Sequence, residues 1–301
     1  MTPPHGPRVL CAGLVTLDII QTVDQLPRSN VKQRALGLSV DFGGPAASAC
    51  GVAAGLGAAE ARLLTAIGHG PVAEAVKTYL RRAGVVAVDL AGREVEEAFG
   101  ASTVLVEQDS GDRAVVSTNA ADVPLLLDAV EIGQADVVLL DGHRMELCLA
   151  VARAARAAGK PVVLDGGSWK PGTAELLRLV DVAVVSEDFV APDESLAALM
   201  RRCGVYAFGQ SLGHRSWTLD VAGQRHVIDV VEVPSGEMVD TVGAGDVLHG
   251  ALAFAIGQWG LDRVVDACRF ASEKASDSCR GMGARGWLAG PSGRKEPGLT
   301  F

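Results

Sequence analysis

The sequence contains few aromatic residues and more acidic than basic charge. Phenylalanine, tryptophan and tyrosine make up 4% of its 301 residues, and the formal net charge is −9. Proteins that bind nucleic acids usually present a basic surface, and those that bind single strands stack bases on aromatic rings. The composition therefore argues against a nucleic-acid partner.

Long runs of bulky apolar residues are also absent. The longest uncharged stretch, residues 42–59, contains five glycines and a proline, whereas a membrane-spanning helix needs about 20 mainly apolar residues. The apolar run at residues 9–17 is short and has no convincing signal cleavage site after it, which favours a buried strand. We therefore expect no membrane partner.

The six cysteines form no recognisable pairs in the sequence. They are scattered along the chain, with no Cys-x-x-Cys spacing and no paired histidines. This pattern indicates neither a disulfide framework nor a zinc site. Because unpaired cysteines are typical of proteins in a reducing compartment, we expect the protein to lie in the cytoplasm.

The rest of the composition is that of a globular protein, and the order of its apolar runs predicts the fold class. Hydrophobic residues make up 49% and charged residues 21% of the chain. Short β-branched runs alternate with Ala/Leu-rich segments of helical period, at the lengths that βαβ units require. We predict an α/β fold, a doubly wound and mainly parallel sheet sandwiched by helices, in a single domain over residues 1–301. The predicted strands are residues 137–140, 161–164, 182–185 and 205–208, and the predicted helices between them are residues 146–158, 174–180 and 194–202.

Two segments interrupt this alternation. Residues 17–41 and 102–117 alternate apolar and polar side chains, with turn signals and no long helix. We predict that they pair into a small antiparallel β-sheet that projects from the core. Since one face of such a sheet must be covered, it would serve as a lid over a substrate site or as a dimer contact.

One glycine-rich segment predicts a catalytic site. Residues 240–246 read Asp-Thr-Val-Gly-Ala-Gly-Asp and precede a predicted helix at residues 247–259. Gly243, Ala244 and Gly245 at a helix start bring free N–H groups and the positive end of the helix dipole together, which makes an anion site. Asp246 in the first turn either complements the dipole or accepts a hydroxyl proton. Because dipole complementation does not explain the preceding glycines, we favour phosphoryl transfer to an alcohol, with Asp246 as base.

A second glycine pair, Gly43 and Gly44, precedes a helix that we predict to begin at Pro45. Proline is well tolerated in the first turn of a helix. The glycine pair either presents backbone N–H groups to sugar hydroxyls or lets the helix pack closely, and the segment alone favours neither alternative.

Two other nucleotide-binding patterns receive little support. Residues 281–286 read Gly-x-Gly-x-x-Gly, but they follow a predicted helix at residues 261–280 and no βαβ unit comes after them, so we reject a dinucleotide site. The sequence contains no Gly-x-x-x-x-Gly-Lys-Ser/Thr loop. Residues 209–213 form either a phosphate loop or a plain turn.

The two glycine segments at residues 43–48 and 240–246 resemble the two signatures of the ribokinase-like, PfkB-type carbohydrate kinases. With residues 13–18, these motifs are most similar to those of ketohexokinase and sulfofructose kinase. The resemblance implies a kinase that uses ATP and Mg²⁺ to phosphorylate a hydroxyl of a small sugar, a ketose such as fructose or an anionic ketose derivative. It also implies a homodimer through the β-lid, and it allows a monovalent cation.

The resemblance assigns roles to individual residues. It implies Asp246 as the base, and Gly243, Ala244 and Gly245 as the anion hole. The implied substrate ligands are Asp18, Gly43 and Gly44, with Lys32 and Arg113 for an anionic group. The implied nucleotide contacts are Ser186, Gly209, Gly213 and Thr241.

The sequence departs from the family pattern at three places. Pro45 and Ser48 stand where many members carry asparagine, which leaves the substrate open. The usual Asn-x-x-Glu reads Ser-Glu-Asp-Phe at residues 186–189, so Glu187 or Asp188 would hold magnesium through water. The nucleotide loop is one residue longer than usual. These departures support a second hypothesis, a catalytically weak regulator that binds a sugar or nucleoside with the same fold.

Overall fold

Strands and helices alternate along most of the chain in the computed structural model, which describes residues 6–109, 112–118 and 122–289. The elements are β1 (Arg8–Ala12), β2 (Thr16–Val23), β3 (Gly37–Gly43), α1 (Pro45–Gly55), β4 (Glu60–Thr65), α2 (Pro71–Arg82), β5 (Val85–Asp89), β6 (Gly100–Glu107), β7 (Arg113–Ser117), β8 (Val137–Leu140), α3 (Met145–Ala157), β9 (Val162–Gly166), α4 (Thr173–Leu177), β10 (Val182–Val185), α5 (Leu196–Cys203), β11 (Ala207–Gln210), β12 (Trp217–Val221), β13 (Gln224–Ile228), α6 (Ala244–Trp259) and α7 (Val264–Ser278).

The larger sheet confirms the predicted doubly wound architecture. Within the described ranges its strand order is β13-β12-β11-β10-β9-β8-β1-β4-β5. The strands from β11 to β5 run parallel, and β12 and β13 form an antiparallel edge. The central strands are continuously apolar because helices cover both faces of the sheet.

Side chains from the two faces of the sheet enter two separate core layers. In β1, Val9 and Cys11 pack with α1, α2, α6 and α7 on one face. Leu10 and Ala12 pack with α3, α4 and α5 on the other. This division follows from the alternating direction of side chains along a strand. In the described part of the chain, no helix is both long and apolar enough to cross a membrane.

The two segments that interrupt the alternation form the predicted second, smaller sheet. Its strand order is β3-β2-β6-β7. The pairs β2–β3 and β6–β7 are antiparallel, and the two pairs join through a parallel contact between β2 and β6. Residues 110 and 111, in the connection between β6 and β7, lie outside the described residues.

Most of the predicted helices and strands differ from the observed ones by one to three residues at an end. The strand predicted at residues 205–208 is β11, which lies two residues later. The helix predicted at residues 261–280 begins with a 3₁₀ turn, Leu261–Arg263, before α7. The apolar run at residues 9–17 is divided between β1 and β2, because the chain turns at Gly13 (φ 154°).

The connections place a crevice between β1 and β8. From β1 the chain builds β4 and β5 on one side, and from β8 it builds β9, β10 and β11 on the other. Ligands of open α/β sheets bind beyond the carboxyl ends of the strands at such a switch of direction. The candidate site is therefore expected where β1 and β8 end.

Candidate active site

A buried carboxylate, Asp141, organises the crevice at the end of β8. Its Oδ2 accepts hydrogen bonds from the backbone N–H of Leu14 (2.8 Å) and of Ala46 (3.2 Å), and its Oδ1 accepts one from His143 N–H (2.9 Å). Any side chain at Gly13 would collide with this carboxylate. Asp141 thus ties the ends of β1 and β8 to the first turn of α1.

The glycine pair before α1 makes room for two close contacts. Gly44 has φ 91°, and a Cβ there would lie 2.6 Å from the Leu14 carbonyl oxygen. A Cβ at Gly43 would collide with the Asp18 carboxylate. Gly44 therefore permits close packing of α1 on the chain after β1, while Gly43 leaves space for a predicted substrate ligand.

Asp18 lies on β2 at the base of the small sheet, partly buried. The Thr16 hydroxyl donates a hydrogen bond to its Oδ1 (2.6 Å). Burial raises the pKa of Asp18; the hydroxyls of Thr16 and Ser102 oppose this shift, the facing Asp41 carboxylate adds to it, and the Arg285 cation opposes it. The structure thus places Asp18 among the polar groups of Thr16, Ser102, Asp41 and Arg285.

The predicted anion hole lies at the start of α6. Gly243 caps the helix in the left-handed conformation (φ 79°), and a Cβ there would lie 2.8 Å from the Cβ of Ala284. Ala244 is the first helical residue, and Gly245 is exposed. The N–H groups of a first helical turn have no acceptor within the helix. The N–H group of exposed Gly245 is therefore available to an anion, whereas the Ala244 N–H makes a long hydrogen bond to the Thr241 carbonyl (3.4 Å).

Asp246 follows in the first turn of α6, and other carboxylates surround it. Burial raises its pKa well above the ordinary value, and the negative charges of Asp165, Asp141 and Asp18 raise it further. The Ser48 hydroxyl on α1 faces the carboxylate and opposes the shift. The structure therefore brings Asp246, Asp18 and the glycine pair into one site. Ser48, at a position where the sequence analysis noted a missing asparagine, belongs to it as well.

The glycine cluster at residues 281–286 also lies at this site, although the sequence analysis gave it no role. Asp240 connects it to the catalytic loop, since its Oδ1 accepts from Val242 N–H (2.8 Å) and its Oδ2 from Gly283 N–H (2.9 Å). Together with the contact between Gly243 and Ala284, these bonds hold the two loops side by side.

Arg285 extends from this cluster to the small sheet. Its guanidinium pairs with the Asp41 carboxylate and lies 3.8 Å above the centre of the Phe42 ring. Gly51 on α1 makes room for the stack, because a Cβ there would lie 3.0 Å from Arg285 Cδ and 3.2 Å from Phe42 Cζ. Only 18% of the Arg285 side chain is exposed. The contact thus joins the C-terminal part of the described chain to the strand that precedes the glycine pair.

The two predicted lid cations lie away from Asp18. The strand register places Asp18 opposite Ser102, whereas Arg113 is opposite Val106, four residues farther along the strand. At about 3.3 Å per residue this is a separation of about 13 Å. Lys32 is exposed in the connection between β2 and β3, at the same far end of the sheet.

The predicted nucleotide contacts lie near the carboxyl ends of β10 and β11 and on the catalytic loop. The Ser186 hydroxyl donates to the Gly167 carbonyl (2.7 Å), and Gln210 Nε2 donates to the Ser186 carbonyl (3.0 Å). Gly213 adopts φ 61° in the turn after β11. Thr241 is exposed, and its carbonyl accepts from Ala244 N–H (3.4 Å).

Gly209 differs from the expectation of a loop residue. It lies within β11, where a Cβ would be 2.5 Å from the Trp217 ring and 2.8 Å from the Thr218 carbonyl oxygen. Close packing against β12 explains the glycine. The turn itself begins after Gln210.

Comparison with known proteins assigns the chain to a family. Residues 7–190, more than half of the chain, match the pfkB family carbohydrate kinase. The chain belongs to the pfkB family. It is therefore a phosphotransferase that acts on sugars, and the predicted family and enzyme class are confirmed.

Relatives of this pfkB kinase include enzymes with different sugar substrates. It is 32% identical to the ATP-dependent ribose-1-phosphate kinase of Halopiger xanaduensis over 267 residues, which cover 83% of either chain. It is 25% identical to mouse ketohexokinase over 294 residues, which cover 90% of this chain and 96% of that protein.

Solved structures share the fold of this pfkB kinase. Ribokinase from Thermotoga maritima superimposes with a TM-score of 0.74 at 20% identity, over 93% of this chain and 95% of that one. Arabidopsis thaliana ribokinase, solved with ribose and ATP, gives a TM-score of 0.66 at 21% identity, over 92% and 94% of the two chains.

The residues that would hold magnesium in this pfkB kinase are two acidic side chains after β10. Glu187 is exposed and pairs with Arg215, and Asp188 is also exposed, with its N–H donating to the Ser186 hydroxyl (3.2 Å). No group of three or more His, Cys, Asp or Glu side chains within the described ranges could hold a metal ion. Mg²⁺ keeps several waters and takes one or two carboxylates plus substrate phosphates, so this donor set fits a water-mediated ion.

Proposed function

We propose that this kinase transfers the γ-phosphoryl group of ATP to a hydroxyl of a small sugar, with Asp246 as the general base. The position of the Asp246 carboxylate carries the proposal: it lies in the first turn of α6, next to exposed Gly245, facing Ser48 and within electrostatic range of Asp18. Phosphoryl transfer to an alcohol requires a base, a site for phosphate charge and ligands for the alcohol.

The sugar would bind in the crevice between the small sheet and α6. Asp18 accepts hydrogen bonds from sugar hydroxyls, and the N–H groups of Gly43 and Gly44 donate to sugar oxygens. The contact of Gly43 with the Asp18 carboxylate supports this arrangement, because it places both groups on the same side of the crevice.

Asp246 takes the proton of the accepting hydroxyl as its oxygen attacks the γ-phosphorus and the bond to the ADP oxygen breaks. The raised pKa makes its carboxylate a stronger base than an exposed aspartate. The backbone N–H groups of Gly243, Ala244 and Gly245 stabilise the negative charge on the transferred group. They lie at the N-terminus of α6, and their positions are set by the fold before the reaction begins.

The nucleotide would contact Ser186 after β10, Gly213 in the turn after β11, and Thr241 on the catalytic loop. Bound Mg²⁺ neutralises charge on the phosphates, and Glu187 or Asp188 would hold its waters. A monovalent cation belongs to the proposal only through family resemblance.

The substrate class follows from the relatives together with the charge of the site. We propose a ketose such as fructose, or an anionic ketose derivative; the charged group of that derivative meets Lys32 or Arg113 only if it extends about 13 Å along the small sheet from Asp18. The 32% identity to a ribose-1-phosphate kinase favours a phosphorylated pentose as a second candidate.

A panel of sugars with detection of ADP tests the proposal. Fructose, a sulfonated ketose, ribose and ribose 1-phosphate are each assayed with Mg-ATP. Asp246→Asn is expected to lower kcat by about 10²–10⁴-fold and to leave sugar affinity nearly unchanged, while the exposed Asp193→Asn serves as a matched control. Full activity of the Asp246 variant would refute its role as base.

The altered magnesium motif favours a second candidate function. Glu187 is engaged with Arg215, and Ser186 stands where the family pattern has asparagine. A catalytically weak regulator that binds a sugar or nucleoside would show measurable binding in the same panel without turnover.

We further propose a single kinase domain that forms a homodimer through the small sheet in the cytoplasm. Exposed Leu38, Val115 and Val116 support the dimer, because these apolar side chains cover both faces of the small sheet. Six cysteines without disulfide bonds, five of them buried, support a reducing compartment.

A further inference from the structure

A buried histidine beneath the catalytic loop has hydrogen-bond acceptors at both ring nitrogens. His249 lies on α6, three residues after Asp246, and is 4% exposed. Its Nδ1 is 2.7 Å from the Gly245 carbonyl oxygen, and its Nε2 is 2.9 Å from the Val184 carbonyl oxygen on β10. The Asp165 carboxylate at the end of β9 is 3.3 Å from Nδ1.

These contacts select one protonation state. A neutral imidazole has one N–H donor and one lone pair, whereas the imidazolium has two donors. Backbone carbonyl oxygens only accept hydrogen bonds. A neutral His249 would therefore place a buried lone pair against a carbonyl oxygen, while the cation satisfies both carbonyls and also faces a carboxylate.

The charges around His249 are mostly negative. Asp165 comes from β9, Asp246 from the same helix, and Asp141 from the end of β8. Burial raises the pKa of Asp165, His249 opposes this shift, Asp141 adds to it, and His143 and Lys170 oppose it. A cation at His249 would thus lie beside this group of carboxylates, 3.3 Å from Asp165.

We propose that His249 is a positioning residue, held as an imidazolium that fixes the Gly245 carbonyl and balances Asp165 beneath the catalytic base. It touches neither sugar nor nucleotide. It acts through two neighbours: the first turn of α6, whose geometry it holds, and Asp165, whose negative charge would otherwise act unopposed on Asp246. This inference rests on the proposed role of Asp246 as base.

Nitrogen NMR of the imidazole groups tests the protonation state without any assay of activity. The protein is labelled with ¹⁵N-histidine and examined at about pH 8, where an ordinary histidine with a pKa of about 6.5 is mostly neutral. We expect two protonated, pyrrole-type nitrogens for one histidine, and the loss of that signal in His249→Asn assigns it. A pyridine-type nitrogen at His249 would overturn the proposal.

The pH dependence of kcat/KM tests the coupling to Asp246. In His249→Asn, Asp165 loses its counter-ion, so the acidic limb is expected to move to higher pH by about one unit. Asp165→Asn should move the limb to lower pH, because a like charge is removed and the cation stays. The double variant should return toward the wild-type profile.

The outcomes separate this inference from the proposed function. An equal loss of kcat/KM at every pH in both single variants would show that His249 and Asp165 only maintain the fold, and it would overturn the coupling. If His249→Asn does not fold, the NMR signal of the wild-type protein still tests the protonation state of His249. The pH dependence of kcat/KM in Asp165→Asn still tests the coupling to Asp246. If Asp246→Asn keeps full turnover, the assignment of Asp246 as the base is wrong. The NMR result on the protonation state of His249 does not depend on that assignment.

Discussion

The Asp246 carboxylate, which has a proposed role in the reaction, also lowers the stability of the folded protein when it is ionised. The carboxylate is buried close to Asp165, Asp141 and Asp18, and its pKa is raised for that reason, burial first. The folded protein therefore holds this proton more tightly than the unfolded chain does. The stability that the group contributes is complete below the ordinary aspartate pKa of about 3.9 and is lost as the pH rises through the raised folded-state value.

Asp246→Asn should accordingly stabilise the protein at neutral pH. The expected gain is about 1.4 kcal/mol for each unit by which the pKa is raised, and it should vanish below about pH 3.9. Urea unfolding of both proteins at several pH values measures this difference. A gain that is the same at every pH would assign the effect to packing, and Asp193→Asn should show no gain.

Arg285 contacts groups that are far from it in the sequence. Its ion pair with Asp41 spans 244 positions, and its charge lowers the pKa of Asp18. Loss of the charge should leave Asp18 more readily protonated and Asp41 without its partner. Both effects weaken the proposed sugar contacts.

Arg285→Met keeps much of the apolar stem and removes the charge. We expect KM for the sugar to rise about tenfold, the equivalent of about 1.4 kcal/mol, with a smaller change in kcat. Steady-state kinetics measure both constants. Arg269→Met, which removes an exposed arginine paired with Asp266 on α7, is the matched control; an equal rise in KM there would argue against a specific role for Arg285.

At the scale of elements, the start of α6 depends on a glycine for two separate reasons. Gly243 needs the left-handed conformation, and its missing Cβ lets Ala284 approach. Gly223, in the turn between β12 and β13, has a similar φ of 88° but no atom within 4 Å of an added Cβ. Alanine variants at Gly243 and Gly223 can therefore distinguish the effect of backbone strain from the effect of the contact with Ala284.

Gly243→Ala and Gly223→Ala should both lose about 1–2 kcal/mol of unfolding free energy from the left-handed conformation. Gly243→Ala should lose more, because it also displaces Ala284, and its kcat should fall while that of Gly223→Ala stays unchanged. Chemical denaturation and initial rates measure the two effects. Equal stability losses with unchanged kcat in both variants would contradict the coupling of the two loops.

Elements with a strong local pattern were predictable from sequence, and contacts between distant elements were not. The strands β8 and β10 were predicted with their observed bounds, because continuous apolar runs are typical of strands buried on both faces. β11 was displaced by two residues, since apolar Val205 precedes the strand and Gly209 within it carries no pattern.

The candidate site divides in the same way. The segment from Gly243 to Asp246 has a local signature that predicts a helix start with an acid in its first turn. Asp141 and His249 contact residues 127 and 65 positions away, respectively, and no local sequence pattern predicts those contacts.

At the scale of the whole molecule, one face of the small sheet exposes apolar side chains from both of its edge strands. Val116 is 73% exposed and Leu38 47% exposed. Apolar groups of this size on a projecting sheet are typical of contact surfaces. The proposed homodimer would cover them.

A charge introduced on this face should dissociate the dimer. We expect Val116→Asp to sediment as a monomer under conditions in which the wild-type protein sediments as a dimer. Val86→Asp is the control, since Val86 is 53% exposed on β5, an edge strand of the larger sheet that takes no part in the small sheet. A wild-type monomer, or an unchanged dimer in Val116→Asp, would contradict the proposed interface.

The loop that carries Ala284 and Arg285 has a consequence for synthesis of the chain. Asp18, Asp41 and the glycine pair leave the ribosome first, and the catalytic loop follows some 200 residues later. The contacts that join them, Gly283 to Asp240 and Arg285 to Asp41, form only after residue 285 has been added. A nascent chain can thus complete much of its sheet and pack α6 against α1, with Ser48 facing Asp246, before Arg285 is available to pair with Asp41 on β3. That ion pair is therefore among the last contacts of the site that the growing chain can make.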